Sequence, residues 1–182
     1  PPATKADIYF PVLHGPFGED GTIQGLLEMA GVPFVGAGVL GSAVGMDKIA
    51  TKSVLRDHGL PIVPYEVISE KEWKSRPEEI LRRVQRRFRF PFFVKPSNLG
   101  SSVGITKVKN AKMTASALRK ALRYDNRAIV EKAIIGREIE CSVLGNDEPE
   151  ASVPGQVIPS RDYYDYRDKY IDGKTTFIIP VR

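Results

Sequence analysis

The apolar positions along the chain change their spacing, and each spacing predicts a type of element. Residues 8–13 (IYFPVL) are almost all apolar, as expected of a parallel strand buried on both faces. Residues 80–88 instead repeat apolar side chains at helical spacing, with arginines on the opposite face. Residues 137–144 alternate apolar and polar side chains, which is typical of a half-exposed strand. The pattern therefore predicts a chain that combines α/β and α+β organisation.

The first part of the chain is predicted to be α/β. A glycine-rich turn at residues 14–21 follows the first apolar run, and a helix then extends from Thr22 to a stop at Gly31. Open α/β sheets bind ligands beyond the carboxyl ends of their strands. His14 and Glu19 are therefore candidate site residues, with a structural histidine as the equal alternative.

Helix start signals follow in the next segment. Asp47 is expected to open a helix that ends at His58, and Ser69 with Glu72 has the spacing of a capping box. Lys48 falls in the first turn of the former helix, where the helix dipole disfavours a cation. This lysine is expected either to be solvated or to hold an anion.

A lysine at a strand end precedes a loop rich in glycine and serine. An apolar strand ends at Lys95, the loop covers residues 97–104 (SNLGSSVG), and a second strand follows at 105–108. Backbone N–H groups, hydroxyls and a fixed positive charge are what phosphate oxygens require. The common phosphate loop has Gly-Lys-Ser/Thr opening a helix, whereas this loop joins two strands. We expect a flap over phosphates, and an ordinary hairpin loop is the alternative.

The second half of the chain is predicted to be a mixed α+β arrangement that ends in a long loop. Residues 95–144 have the pattern strand, strand, helix, strand, strand. Residues 160–174 contain four tyrosines among alternating charges and lack apolar periodicity. Loops of this length are often functional, so a lid over substrate is expected, with a surface loop as the alternative.

Composition narrows the classes of function. With 182 residues, 42% hydrophobic and 27% charged, the chain is predicted to be globular, and its strands near both ends suggest a piece of a longer protein. The net charge of +5 comes largely from helical faces without interleaved aromatic residues, which favours a solvated surface over a nucleic-acid partner. No apolar run long enough for a membrane partner occurs. The single cysteine, Cys141, fits a cytoplasmic location.

Five motifs give the chain a family resemblance. They are HGPFGEDGTIQG (14–25), MDK (46–48), VKPSNLGSSVG (94–104), IVEKAIIGREIECSVLG (129–145) and YDYRDKY (164–170). In this order and spacing, the chain resembles the D-alanine–D-alanine ligases, which are ATP-grasp enzymes of peptidoglycan synthesis. The resemblance implies a partial ATP-grasp fold. Residues 1–45 would end a Rossmann-like N-terminal domain, 46–136 would form the central domain, and 137–182 would start the C-terminal domain.

The resemblance also implies an activity. ATP would phosphorylate the carboxylate of one D-alanine, and the amine of a second D-alanine would attack the acyl phosphate. Mg²⁺ or Mn²⁺ would assist the reaction, bound by ligands outside this chain, so this piece alone is not expected to catalyse it. The enzyme is expected to be a homodimer. The alternatives are another ATP-grasp carboxylate–amine ligase, a D-alanine–D-lactate ligase, or a non-catalytic nucleotide-binding module.

Candidate site residues follow from the same resemblance. The catalytic set would include a hydrogen-bonded triad, Glu19, Ser101 and Tyr170, that closes the tyrosine loop over the substrates. It would also include His14, near the first D-alanine. The nucleotide set would contact phosphates, adenine and ribose: Lys48, Lys95, Lys169, Ser101, Ser102, Val103, Gly104, Glu131, Lys132, Ile134 and Glu138. The related depsipeptide-forming ligases have phenylalanine in place of Tyr170, so the resemblance favours a peptide product.

Overall fold

The computed structural model describes residues 6–181, which divide into two compact units between Ala133 and Ile134. The first unit contains six helices and four strands in its described part: α1 Thr22–Met29, α2 Val39–Met46, α3 Lys48–Asp57, β1 Tyr65–Ser69, α4 Glu70–Ser75, α5 Pro77–Arg87, β2 Phe92–Pro96, β3 Thr106–Val108, α6 Ala111–Ala121 and β4 Arg127–Lys132. The predicted division at residues 45 and 136 stays a prediction, and residues 1–5 and 182 lie outside the described range.

The first unit is built around an antiparallel sheet of four strands in the order β1-β4-β2-β3. One face is packed against α5 and α6, where Phe92, Val94 and Val130 are completely buried beside Val84 and Leu118. Side chains alternate between the two faces of a strand. The intervening residues of β2 and β4 therefore point to the opposite face, which is free of these two helices.

Two of the predicted helix caps, at Asp47 and at Ser69, are confirmed, whereas Thr22 makes no capping hydrogen bond because Gly21 occupies the N-cap of α1. The Asp47 carboxylate accepts hydrogen bonds from the backbone N–H groups of Ile49 and Ala50, at 2.9 and 3.0 Å, and so caps α3. Ser69 and Glu72 form the expected capping box at α4. These interactions satisfy N–H groups that a helix start leaves without partners.

The predicted buried strand at residues 8–13 is wrong. In the structure, this segment makes a single parallel bridge, Tyr9 to Phe34, and forms no strand. Phe10 is 71% exposed and Val12 68% exposed. An apolar run becomes a buried parallel strand only where neighbouring strands lie on both sides. The bridge consists of two backbone hydrogen bonds, from the Tyr9 N–H to the Pro33 carbonyl and from the Val35 N–H to the Tyr9 carbonyl.

The second unit contains short strands: β5 Glu138–Glu140, β6 Val143–Leu144, β7 Glu150–Ala151, β8 Gly155–Ile158 and β9 Thr176–Ile178. β8 lies between β5 and β9, and β6 pairs with β7, so the single strand predicted over residues 137–144 is divided in two. The tyrosine loop, residues 160–174, is not wholly irregular, because Asp168–Asp172 forms a π-helical turn. Asp168 is buried and accepts hydrogen bonds from the backbone N–H and hydroxyl of Ser160.

Candidate nucleotide site

Three lysines lie near one buried carboxylate on the face of the sheet opposite α5 and α6. Lys95 of β2 and Glu131 of β4 point to the same face because each lies one residue from a core position. Helix α3 supplies Lys48 and Lys52, which are one helical turn apart. Glu131 is paired with Lys95 and, at 2.9 Å, with Lys52. These four residues are called the lysine cluster below.

The charges of the lysine cluster do not balance. Burial acts to raise the pKa of Glu131, but Lys95 and Lys52 outweigh it and leave the pKa below its usual value. Burial, together with the positive charge of Lys95, lowers the pKa of Lys48 to about 8. The four residues together have an excess of positive charge, since three lysines accompany one carboxylate, which pairs directly with Lys95 and Lys52. An anion bound here would relieve that excess.

Lys48 is partly buried and bonded to the chain rather than solvated, and its predicted binding of an anion stays a prediction. Its ammonium group donates hydrogen bonds to the backbone carbonyl of Leu99 at 2.6 Å and of Ser97 at 3.4 Å. Its backbone N–H donates to the Ser97 carbonyl at 3.0 Å. Helix α3 is thus tied to the start of the loop between β2 and β3. This arrangement could not be anticipated from the sequence, because it depends on how two distant segments meet.

The loop over residues 97–104, called the glycine flap below, turns sharply between two paired strands. Ser101, Ser102 and Gly104 have φ of 53°, 58° and 76°, and the Val103 N–H donates to the Gly100 carbonyl at 3.2 Å. A Cβ on Gly104 would lie 2.6 Å from Pro96 Cγ, so this position requires glycine. The predicted pairing of the flanking strands is confirmed, as β2 and β3 are antiparallel neighbours.

The turn at residues 14–21 lies against the glycine flap. A Cβ built on Gly100 would be 3.7 Å from Glu19 Oε2, which places the Glu19 carboxylate next to the residue before Ser101. Glu19 also accepts a hydrogen bond from the Gly15 N–H, and its carboxylate is 4.0 Å from His14 Nδ1. The structure therefore brings His14, Glu19 and the flap together.

Two residues of the candidate site, Lys52 and Gln24, were not predicted from the sequence. Lys52 binds Glu131, and its spacing of four residues from Lys48 was an available signal. Gln24 is buried on α1 and donates from Nε2 to the Gly18 carbonyl at 3.0 Å, which steadies the turn that holds Glu19. No sequence signal marks Gln24, because a polar residue on an amphipathic helix usually faces solvent.

The remaining predicted residues lie at the end of the sheet or in the second unit. Lys132 is exposed at the end of β4, and Ile134 is 59% exposed. Glu138 begins β5, and the Lys169 ammonium lies 4.6 Å from the centroid of the Tyr164 ring. The Tyr170 ring contacts Tyr166 with a centroid separation of 5.0 Å. That these residues join the lysine cluster in one site stays a prediction.

Comparison with known proteins identifies the family. Residues 54–182 match the family described as "D-ala D-ala ligase C-terminus", and residues 1–37 match "D-ala D-ala ligase N-terminus". The chain belongs to the D-alanine–D-alanine ligase family. The resemblance drawn from the five motifs is therefore confirmed.

Two curated members of the ligase family show how much of such a protein the chain covers. The D-alanine–D-alanine ligase of Bacillus velezensis is 51% identical over 176 residues, which are 97% of this chain and 50% of that protein. The ligase of Natranaerobius thermophilus is 49% identical over 177 residues, which are 97% of this chain and 48% of that protein. The chain spans about half the length of the curated ligases that it matches.

Solved ligase structures share the fold. The "VanG D-Ala:D-Ser Ligase" from Enterococcus faecalis has a TM-score of 0.84 at 35% identity, covering 98% of this chain and 51% of that one. The D-alanine–D-alanine ligase from Coxiella burnetii has a TM-score of 0.77 at 45% identity, and the match covers 84% of this chain and 45% of that one. The mixed α/β architecture is thus that of the ligase family, over part of its length.

The described residues provide neither a cluster of three metal ligands nor a membrane-spanning helix. Within residues 6–181, no group of three or more His, Cys, Asp or Glu side chains is placed to hold a metal ion. Within this range, the carboxylates are therefore not grouped as the ligands of a metal ion. No helix in the same range has the length and apolarity needed to span a membrane.

Proposed function

We propose that the chain is the nucleotide-binding part of an ATP-dependent ligase that joins two D-alanines into D-alanyl-D-alanine for peptidoglycan synthesis. The lysine cluster, with its excess positive charge beside the glycine flap, is the observation that carries the proposal. A polyphosphate is the complementary ligand, since its oxygens accept charge-assisted hydrogen bonds. Family membership supplies the reaction in which that nucleotide would be used.

In this proposal, the residues of the first unit position the triphosphate. Phosphoryl transfer depends on positioning and on neutralising charge more than on covalent help from the protein. Lys95 and Lys48 would bind phosphate oxygens, and Glu131 orients Lys95 because the two side chains are paired. The glycine flap would cover the phosphates and exclude water, which limits hydrolysis of an acyl phosphate.

The remaining candidates take the roles that the family resemblance gives them. His14 and Glu19 would lie beside the first D-alanine. Ser101 and Tyr170 would complete a triad with Glu19 that closes the tyrosine loop. The adenine and ribose contacts would come from Glu131, Lys132, Ile134 and Glu138, and Lys169 would add a phosphate contact.

The proposal includes expectations about the whole protein. Mg²⁺ would be bound by residues outside the range 6–181, and the enzyme would act as a cytoplasmic homodimer. Light scattering on the purified full-length protein tests the dimer, and titration with Mg²⁺ and Mn²⁺ tests the metal.

A direct assay tests the activity. The full-length protein is incubated with ATP and D-alanine, and ADP, phosphate and D-alanyl-D-alanine are quantified. One dipeptide per ADP is the expected stoichiometry. D-Serine and D-lactate are supplied as competing acceptors, because a D-Ala:D-Ser ligase shares this fold. ADP formation without any D-alanyl product, or no binding of ATP at all, would contradict the proposal.

A further inference from the structure

One carboxylate connects helix α3 to β4 and to the residue that follows β2, at the end of the sheet next to the glycine flap. Asp47 Oδ1 accepts a hydrogen bond from the Ser97 hydroxyl at 2.9 Å, in addition to the two N–H groups that it caps. Asp47 Oδ2 is paired with the Arg127 guanidinium of β4. Ser97 is fully buried, so its hydroxyl has no access to solvent.

The backbone adds to this connection from two sides. Asp47 and Asn98 form an antiparallel bridge, and the Ser97 N–H donates to the Arg127 carbonyl at 3.0 Å. The Asn98 N–H donates to the Asp125 carboxylate at 2.7 Å. The first two residues of the flap are therefore fixed to α3 on one side and to β4 on the other. The next residue, Leu99, is bound to α3 through the Lys48 ammonium group at 2.6 Å.

We propose that Asp47, Ser97 and Arg127 form a clamp of positioning residues that fixes the base of the glycine flap to helix α3. The clamp sets where Lys48 and the flap serines are presented to a nucleotide phosphate. It deepens the proposed function and rests on it for the identity of the ligand. The geometry of the clamp does not depend on a ligand.

The clamp also acts on Lys48 through charge. The groups that act on its ammonium are Lys95 of β2, Glu131 of β4, Asp125 before β4, and Asp47 at the start of its own helix. Burial and Lys95 lower the Lys48 pKa, whereas Asp47, Glu131 and Asp125 oppose that shift. Loss of the Asp47 charge therefore lowers the Lys48 pKa further.

The first experiment removes one hydroxyl from the clamp in the full-length protein. Ser97→Ala is compared with Ser116→Ala, whose hydroxyl donates to the Met113 carbonyl on the exposed side of α6. In the absence of ligand, the backbone amides of residues 97–104 should exchange hydrogen faster in Ser97→Ala than in the wild type. Ser116→Ala should exchange at the wild-type rate there. ATP should bind roughly three- to tenfold more weakly to Ser97→Ala, with the KM for D-alanine unchanged.

The second experiment removes the charge of the clamp and keeps the helix cap. Asn is as good an N-cap as Asp, so Asp47→Asn retains α3 while the pairing with Arg127 is lost. The pH at which ATP affinity begins to fall should move below that of the wild type. A loss of stability without a shift in this pH profile would assign Asp47 a capping role only and overturn the proposal.

The outcomes separate the clamp from the proposed function. Unchanged exchange in residues 97–104 of Ser97→Ala overturns the clamp even if the wild-type protein binds ATP. A wild-type protein that does not bind ATP contradicts the proposed function, and the exchange comparison still decides whether the clamp holds the flap.

Discussion

Each ammonium group of the lysine cluster is held by oxygen atoms of the chain itself. Glu131 binds Lys95 and Lys52, and the flap carbonyls bind Lys48. A buried lysine without such partners tends to lose its proton. The pairing therefore keeps the charges in place for a phosphate, while the single carboxylate leaves the site positive.

Removal of the Lys95 charge should weaken the use of ATP. Lys95→Ala in the full-length protein deletes a charge-assisted contact worth about 1.5–3 kcal/mol. Glu131 keeps Lys52 as its partner, so the fold should persist. The measurement is the KM and Kd for ATP, with Lys112→Ala on the exposed start of α6 as the control. Wild-type ATP affinity and turnover in Lys95→Ala would rule out the phosphate role.

The ionisation of Lys48 should appear in the pH dependence of ATP binding. Its pKa is lowered to about 8, so the ammonium is charged below that pH and neutral above it. ATP affinity should therefore fall as pH rises through 8, by about tenfold near pH 9. Calorimetric titration across this range measures the fall. Lys48→Arg supplies a guanidinium that stays charged, so its affinity should not fall. The same decline in both proteins would show that another group titrates.

At the scale of elements, the glycine flap depends on backbone conformations that few residues adopt. Gly104→Ala should destabilise the protein by roughly 1–3 kcal/mol, because φ is +76° and the added Cβ would meet Pro96 and Tyr124. Gly100→Ala is the matched control, since its Cβ would meet no atom closer than 3.7 Å. Urea-induced unfolding of the full-length variants measures the difference. Equal midpoints for the two variants would mean that the flap can rearrange around a side chain.

Local signals in the sequence predicted most of the helices, whereas the pairing of distant strands could not be predicted from the sequence. The cap at Asp47 and the capping box at Ser69 each involve residues two or three positions apart, so the sequence shows both partners. The strand order β1-β4-β2-β3 brings together segments that are far apart in the chain. The apolar run at residues 8–13 illustrates the limit, because its composition does not show whether neighbouring strands exist.

The same distinction between local and non-local interactions applies to the candidate site. Lys95 and the flap were predicted from a strand followed by glycines and serines, and the structure places Lys95 near the end of β2 and the flap between β2 and β3. The contacts of Lys48 with flap carbonyls and of Lys52 with Glu131 required the packing of α3 on the sheet. Sequence patterns can indicate the type of ligand, whereas the partners of each charge depend on the tertiary fold.

At the scale of the whole molecule, the residues of the proposed triad are divided between the units, with Glu19 and Ser101 in the first and Tyr170 in the second. Tyr170→Phe removes one hydroxyl and keeps the ring that contacts Tyr166, so the fold should remain intact. Loss of one hydrogen bond should weaken lid closure by about 0.5–1.5 kcal/mol. D-Alanine must lose a proton from its amine before attack, whereas D-lactate presents a neutral hydroxyl. The variant should therefore accept D-lactate more readily than the wild type does.

Product analysis tests this change in specificity. The full-length Tyr170→Phe variant receives both acceptors from about pH 6 to about pH 9, a range over which the protonated fraction of the amine changes. Tyr166→Phe serves as the control, because it alters the neighbouring ring of the same pair. Exclusive formation of the dipeptide at every pH, with wild-type kinetics, would leave Tyr170 a packing residue.

The two faces of the four-stranded sheet impose different constraints on mutation. Along β2, Phe92 and Val94 pack against the helices, whereas Lys95 lies on the opposite face in the lysine cluster. In a library of single substitutions, changes at Phe92 and Val94 should reduce the amount of folded protein in the cell. Changes at Lys95 should instead give near-normal abundance, because Glu131 keeps Lys52 as its partner, and poor growth when the proposed ligase activity is needed. Neighbouring codons of one strand would thus evolve under separate pressures, one from folding and one from the ligand.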